Sequence, residues 1–142
     1  MARFVLVPGG WHGAWAFDDV SKVLLGAGHE VQALTLSGLG NEPAKGANLD
    51  RHIDEVVQAI RGRDTQAILV GHSYGGMVIT GAADREPSRV EAIVYADAYV
   101  PDNGASVWSL TTQNNREHFI DCAHDIPRLA PAAFAKILLE HA

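Results

Sequence analysis

Short apolar runs alternate along the chain with segments of helical hydrophobic spacing. The runs at Ala67–Val70 and Val90–Ala96 are almost continuously hydrophobic, which is typical of strands buried on both faces of a parallel sheet. Together with the shorter runs they predict five strands: Phe4–Val7, Val31–Leu36, Ala67–Val70, Val90–Ala96 and His118–Ile120. The alternation predicts an α/β fold, a mostly parallel sheet of about five strands with helices on both faces.

The helical segments are predicted at about 14–26, 49–61, 75–85 and 131–141. In the second segment, apolar residues from Ile53 to Ile60 recur at helical spacing with polar residues between them. Asn48 or Asp50 is suited to cap its start, and Gly62 its end. Because no repeat or linker interrupts the sequence, residues 1–142 are predicted to form a single compact domain.

Composition narrows the class of protein. A chain of 142 residues with 47% apolar and 20% charged residues suits one globular domain. The net charge of −6 argues against nucleic acid or a membrane surface as partner. Cys122 is the single cysteine, so an intrachain disulfide is excluded. The apolar run at the N-terminus is too short for a signal peptide or membrane span, and we expect a soluble, cytoplasmic protein.

A glycine-flanked serine follows the third predicted strand. Gly71, Ser73 and Gly75 form the pattern G-x-S-x-G between an apolar strand and a helix, which is the context of a nucleophile elbow. Glycines remove the Cβ atoms that would clash in so sharp a turn, and the N-terminus of the next helix favours developing negative charge. Ser73 is therefore the predicted nucleophile, rather than a solvent-facing serine in a glycine-rich turn.

Acyl transfer by a serine also needs backbone N–H donors aimed at the oxygen that becomes negative. Tyr74 directly follows the predicted nucleophile, and Gly9 and Gly10 follow the first strand. We expect the amides of Gly10 and Tyr74 to form this oxyanion hole. The same glycines turn the chain into the first helix, and the two roles are compatible.

Four segments of the chain match a known pattern: Val5–Trp15, Thr35–Gly40, Gly71–Met77 and Val94–Pro101. They resemble the opening motif, the turn after the second strand, the elbow and the next strand end of the methylesterase and hydroxynitrile-lyase (salicylate esterase-type) branch of the α/β-hydrolase superfamily. The resemblance implies an α/β-hydrolase fold, with the oxyanion donors at Gly10 and Tyr74. Pro8 stands where the family has the first histidine of its opening motif. Family members are much longer, so the resemblance implies a shortened form in which the cap domain is absent.

The rest of the triad should follow the nucleophile, since this fold orders its triad as serine, acid, histidine. His124 lies in Asp121–Asp125, a segment that resembles the family's histidine loop. It is the predicted base, with a polar loop residue as the alternative. Asp97 ends the strand after the nucleophile's helix and is the predicted acid, at the place that some haloalkane dehalogenases use. The open alternatives are that Asp97 caps a turn and that Asp121 or Asp125 is the acid.

The remaining histidines and aromatic residues receive other roles. We expect a substrate pocket lined by Trp11, His12, His72, Tyr99 and Trp108, although aromatic residues more commonly pack in the core. His29 and His52 are interpreted as surface residues. Cys122 has no glycine elbow and is not expected to be a nucleophile.

These residues predict a serine esterase that cleaves a small-molecule carboxylic ester through Ser73, His124 and Asp97. No metal or organic cofactor is implied, and a homodimer is compatible with the exposed sheet edge. Two other hypotheses remain. A hydroxynitrile-lyase-type enzyme would use the same triad, although Gly10 stands where such enzymes favour a threonine. A non-catalytic ligand-binding protein or fragment of this fold is favoured by the missing cap and strand.

Overall fold

A computed structural model of the chain describes residues 1–41, 46–111 and 131–140. One parallel sheet runs through these residues in the order β2-β1-β3-β4. Its strands are β1 (Arg3–Val7), β2 (Glu30–Ala33), β3 (Ala67–Ser73) and β4 (Val90–Ala98). The predicted parallel sheet is thus confirmed for four strands. The fifth predicted strand, His118–Ile120, lies outside the described residues.

Helices follow the strands in the predicted order. They are α1 (Asp18–Gly26), α2 (Leu49–Arg61), α3 (Gly75–Arg85), α4 (Val107–Leu110) and α5 (Pro131–Leu139), with 3₁₀ turns at Ala14–Phe17 and Pro87–Arg89. The predicted helix over 14–26 is therefore a 3₁₀ turn that leads into α1. The short helix α4 was not predicted, because four residues are too few to display a helical period.

The side chains of β1 divide the core into two layers. Phe4 and Leu6 pack in one cluster with α1 and α5, whereas Val5 and Val7 pack in the other with α2 and α3. All four side chains are fully buried. Because successive side chains of a strand point to opposite faces, this division places helices on both faces of the sheet, as predicted.

The second strand is shorter than predicted. It ends at Ala33, whereas the apolar pattern extended the strand to Leu36. Beyond Ala33 the chain turns, with the Leu39 amide donating to the Leu36 carbonyl at 2.9 Å and Gly38 at φ 76°. Leu36 is fully buried in the core from this turn. Leu36 is therefore apolar because it is buried beside a turn, and an apolar pattern alone cannot distinguish such a residue from one buried in a strand.

Both ends of α2 are fixed by hydrogen bonds. The Asn48 side chain accepts from the Arg51 amide at 2.8 Å, which confirms Asn48 as the cap. At the other end the buried Arg3 guanidinium donates to the carbonyls of Ala59 and Ile60. These bonds satisfy carbonyls that have no partner within a helix end. The helix is thereby held in a defined position beside the sheet.

Candidate active site

Ser73 lies at the junction of a strand and a helix. It is the last residue of β3, and α3 begins at Gly75 with Tyr74 as its N-cap residue. Ser73 has φ 52°, a left-handed conformation that costs a non-glycine residue about 1–3 kcal/mol and persists only where the surrounding structure enforces it. This is the strained strand-to-helix turn that the motif predicts.

Glycines allow the backbone to close around this turn. A Cβ atom on Gly71 would lie 2.7 Å from Ile79 Cδ1 and 2.8 Å from the carbonyl carbon of Gly75. A Cβ on Gly75 would overlap the Val7 carbonyl oxygen at the end of β1, and one on Gly76 would overlap the Tyr99 carbonyl oxygen. The first turn of α3 therefore sits directly on the backbones of neighbouring segments.

The loop after β1 touches the predicted nucleophile. A Cβ on Gly9 would lie 2.9 Å from Ser73 Cβ. The next residue, Gly10, has open space where a Cβ would be, and Trp11 has φ 64°. The two predicted oxyanion donors thus belong to a loop in contact with Ser73 and to the residue that follows Ser73.

Asp97 lies at the end of the strand that pairs with β3. Ala96 is opposite His72 and Ala98 is opposite Ser73, so Asp97 is the extra residue of a β-bulge, with φ 45°. Two residues later, the Tyr99 amide donates to the Ser73 carbonyl at 3.1 Å. The turn at Ser73 and the bulge at Asp97 are therefore joined through the backbone.

Backbone strain within the described residues is concentrated at this end of the sheet. Three non-glycine residues have positive φ: Trp11, Ser73 and Asp97. They follow or end β1, β3 and β4, and so gather at the carboxyl end of the parallel strands. This is where α/β sheets bind their ligands, and such strain clusters at functional sites.

The predicted pocket residues lie on β3 and on the segments that follow β1 and β4. His72 is 1% exposed, and its ring centroid lies 6.2 Å from that of half-buried His12, which packs edge-on against Trp15. Trp11 and Trp108 are mostly exposed, at 70% and 69% of their surface. The half-buried Tyr99 hydroxyl is hydrogen bonded to Thr111 Oγ1 at 2.9 Å. His72 thus packs beneath the loop after β1, whereas the two tryptophans are open to solvent.

The interpretation of His52 as a surface residue was wrong. Its side chain is only 5% exposed; Nδ1 lies 2.8 Å from the Tyr74 hydroxyl and Nε2 lies 2.7 Å from the Ser37 carbonyl oxygen. The signal was available in the sequence, because His52 precedes Val56 by four residues and so shares the apolar face of α2. His29 is also half-buried, and its Nδ1 accepts from the Ala2 amide at 3.1 Å.

Two ionisable side chains near His52 have shifted pKa values. Burial raises the pKa of the Tyr74 phenol to about 12. The direction of the two hydrogen bonds of His52 follows from Ser37, whose carbonyl oxygen can only accept: Nε2 carries the proton, and in this tautomer Nδ1 accepts from the Tyr74 hydroxyl. Partial burial opposes ionisation of Glu55, but hydrogen bonds from Ser37 and Arg51 and the nearby His52 outweigh it and lower the pKa of Glu55.

The predicted base, His124, lies outside the described residues, as do Asp121, Cys122 and Asp125. Within the part of the chain that the structure describes, no group of three or more His, Cys, Asp or Glu side chains is arranged to hold a metal ion. Over the same residues, no helix is long and apolar enough to cross a membrane.

Sequence and structure comparisons identify relatives of this architecture. Carbendazim hydrolyzing esterase from Nocardioides sp. (strain SG-4G) is 45% identical over 114 residues, which are 78% of this chain and 47% of that protein. Alpha-hydroxynitrile lyase from Arabidopsis thaliana is 34% identical over 105 residues, which are 70% of this chain and 41% of that protein. The chain therefore spans about half the length of the relatives it matches.

A solved structure shares the arrangement of strands and helices. An extracellular alpha/beta-hydrolase from a Paenibacillus species, described as structurally and functionally homologous to tobacco salicylic acid binding protein 2, superposes with a TM-score of 0.76. It is 31% identical in sequence, and the match covers 84% of this chain and 50% of that one. Residues 4–139 also match the alpha/beta hydrolase family as a whole. The strained turn at Ser73 is the one expected of this fold, and the sequence and structure matches point to the same fold: the chain belongs to the alpha/beta hydrolase family.

Proposed function

We propose that this protein is a serine hydrolase that cleaves small carboxylic esters, with Ser73 as the nucleophile. The observation that carries the proposal is the turn at Ser73, whose φ of 52° is enforced by close backbone contacts and which touches the loop after β1. A serine held in this way at the start of a helix suits attack on a carbonyl carbon. Relatives that are named as esterases support esters as the substrate class.

The proposed reaction proceeds through an acyl-enzyme. Ser73 Oγ attacks the ester carbonyl carbon while His124 takes its proton, and the amides of Gly10 and Tyr74 hold the oxygen that becomes negative. His124 then gives the proton to the departing alcohol as the C–O bond breaks. Water, activated by the same histidine, hydrolyses the acyl-enzyme and releases the carboxylic acid.

Asp97 is proposed as the residue that orients His124. Its role would be to hold the imidazole in the correct tautomer and to stabilise the imidazolium that forms. The support is positional: Asp97 is the bulged residue near the end of β4, which pairs with β3, and the segment after it is hydrogen bonded to the Ser73 carbonyl. Asp121 and Asp125 are the competing acids.

Asp97→Asn is expected to lower kcat about 100-fold or more, because the amide would favour the wrong histidine tautomer while preserving the size of the side chain. The measurement is steady-state hydrolysis of p-nitrophenyl acetate. The matched control is Asp102→Asn, which removes an exposed carboxylate from the following loop and should leave kcat unchanged. An active Asp97→Asn variant alongside an inactive Asp121→Asn or Asp125→Asn variant would move the acid to that residue.

Exposed aromatic side chains on the segments that follow β1 and β4 favour an apolar acyl or alcohol group. Trp11 and Trp108 lie on these segments and expose most of their indoles, and aromatic side chains commonly line sites that bind apolar ligands. A small neutral ester also agrees with the net charge of −6, which disfavours anionic substrates.

The experiment that tests the function combines a covalent probe with turnover. A fluorophosphonate should label the chain once, and peptide mapping should place the label on Ser73; p-nitrophenyl esters should be hydrolysed, and His124→Ala should slow both reactions. A folded protein that binds esters without labelling or turnover would instead support the non-catalytic hypothesis. Release of an aldehyde and cyanide from a cyanohydrin, without ester turnover, would support the lyase suggested by the Arabidopsis relative.

A further inference from the structure

The side chain of Tyr74 is anchored at the far end from its proposed oxyanion amide. The phenol is half-buried, and its hydroxyl donates to His52 Nδ1 at 2.8 Å. The two rings also meet edge-on, with centroids 5.7 Å apart. Because Tyr74 is the single residue between the strained Ser73 and α3, a fixed ring limits the rotation of the peptide that carries its N–H group.

The anchor continues from His52 into the loop after β2. His52 Nε2–H donates to the Ser37 carbonyl at 2.7 Å. Ser37 in turn donates from its amide to Glu55 at 3.0 Å and from its hydroxyl to the same carboxylate, which also accepts from Arg51 Nε at 3.2 Å. Since Arg51, His52 and Glu55 all lie on α2, the network closes on one rigid helix.

The same loop also reaches the segment that follows the other proposed donor. Thr35 Oγ1 accepts from the Ala14 amide at 2.8 Å, and a Cβ on Gly13 would lie 2.9 Å from that oxygen. Residues 35 to 37 therefore contact both the segment after Gly10 and, through His52, the residue after Ser73. A displacement of this loop would disturb both proposed donors together.

We propose that His52 is a positioning residue, which holds the Tyr74 ring so that the Tyr74 amide points into the oxyanion hole. The inference rests on the proposed esterase function. His52 does not touch the reacting atoms in this scheme; it acts through Tyr74, and Ser37 with Glu55 keeps its ring in the tautomer that accepts from the phenol. An oxyanion donor is effective only when its direction is fixed before the reaction, and in this proposal the hydrogen bonds that hold His52 help to fix that direction.

Tyr74→Phe tests the anchor because it removes only the hydroxyl and keeps the ring. We expect kcat for an oxygen ester to fall about tenfold with little change in KM, since one donor would be loosened rather than lost. The corresponding thiono ester develops its charge on sulfur and gains less from the hole, so its kcat should fall much less. A merely structural defect would lower both rates alike.

The controls separate positioning from general damage. Tyr95→Phe removes another half-buried tyrosine hydroxyl, which is hydrogen bonded to Thr80 on α3, and it should leave the ratio of the two esters unchanged. His52→Asn keeps an acceptor at the distance of Nδ1 from the backbone, so it should retain more of the wild-type kcat than His52→Leu does. Equal ratios in Tyr74→Phe, Tyr95→Phe and wild type would overturn the inference.

A measurement without turnover distinguishes this inference from the esterase proposal. Amide hydrogen exchange of Tyr74, Gly75 and Gly76 should be faster in Tyr74→Phe than in Tyr95→Phe. If the wild type neither hydrolyses esters nor reacts with the fluorophosphonate, the esterase proposal and the catalytic role of His52 both fail. If the wild type is active and the exchange and ester ratio are unchanged in Tyr74→Phe, only the positioning role of His52 fails.

Discussion

Ser73→Ala is expected to abolish fluorophosphonate labelling and to lower ester turnover about 1,000-fold or more, because no other group in the proposed scheme can form the acyl-enzyme. Intact-mass spectrometry and hydrolysis of p-nitrophenyl acetate measure the two effects. Alanine adds no atom to this 7% exposed position and occupies the same backbone conformation, so the variant should remain folded.

The control for this experiment is Ser88→Ala, which removes an exposed hydroxyl from the 3₁₀ turn before β4. It should be labelled and should turn over like the wild type. Persistent labelling of a folded Ser73→Ala protein would show that another residue reacts with the probe, and the proposed nucleophile would have to be abandoned.

Gly75→Ala should destabilise the protein strongly. Its new methyl group would overlap the carbonyl oxygen of Val7 and lie 2.9 Å from that of Pro8. Neither atom belongs to a flexible side chain, so α3 must move away from β1. Overpacking of this kind costs about 3 kcal/mol in the free energy of unfolding, which urea denaturation followed by circular dichroism would measure.

The matched control is Gly26→Ala at the end of α1, where a Cβ has open space. Alanine has the higher helix propensity, so this variant should be as stable as the wild type or slightly more stable. If Gly75→Ala has the same midpoint of urea unfolding as the wild type, the contact between α3 and the end of β1 can accommodate a methyl group, and this prediction is wrong.

The sheet and the helices that cover it could be predicted because buried positions are occupied by apolar residues, in a pattern that the sequence shows directly. Strands β3 and β4 contain nearly continuous apolar runs, and α2 has an apolar stripe with Asn48 at its cap. The end of β2 could not be placed, because Leu36 is buried from a turn rather than from a strand. Hydrophobicity reports burial, and only indirectly the backbone conformation that achieves it.

The parts of the candidate site that are formed by residues close together in the sequence could be predicted. The turn at Ser73 depends on glycines within two residues of it, so its geometry followed from a short motif. The position of Asp97 depends on the pairing of β4 with β3 and on a bulge that no residue pattern announces. His52 was missed although its place on the apolar face of α2 can be seen in the sequence, because the sequence does not show the partner, here Tyr74, that allows a histidine to be buried.

The left-handed backbone of Trp11 lowers stability at a residue of the proposed pocket. A tryptophan with φ 64° that exposes 70% of its surface gains little from burial, whereas glycine would relieve the conformational strain. Selection for thermal stability alone should therefore enrich Trp11→Gly and remove one of the indoles that line the proposed pocket. Stabilising substitutions that leave the proposed pocket intact should therefore be sought at the opposite end of the strands, with Trp11 kept unchanged.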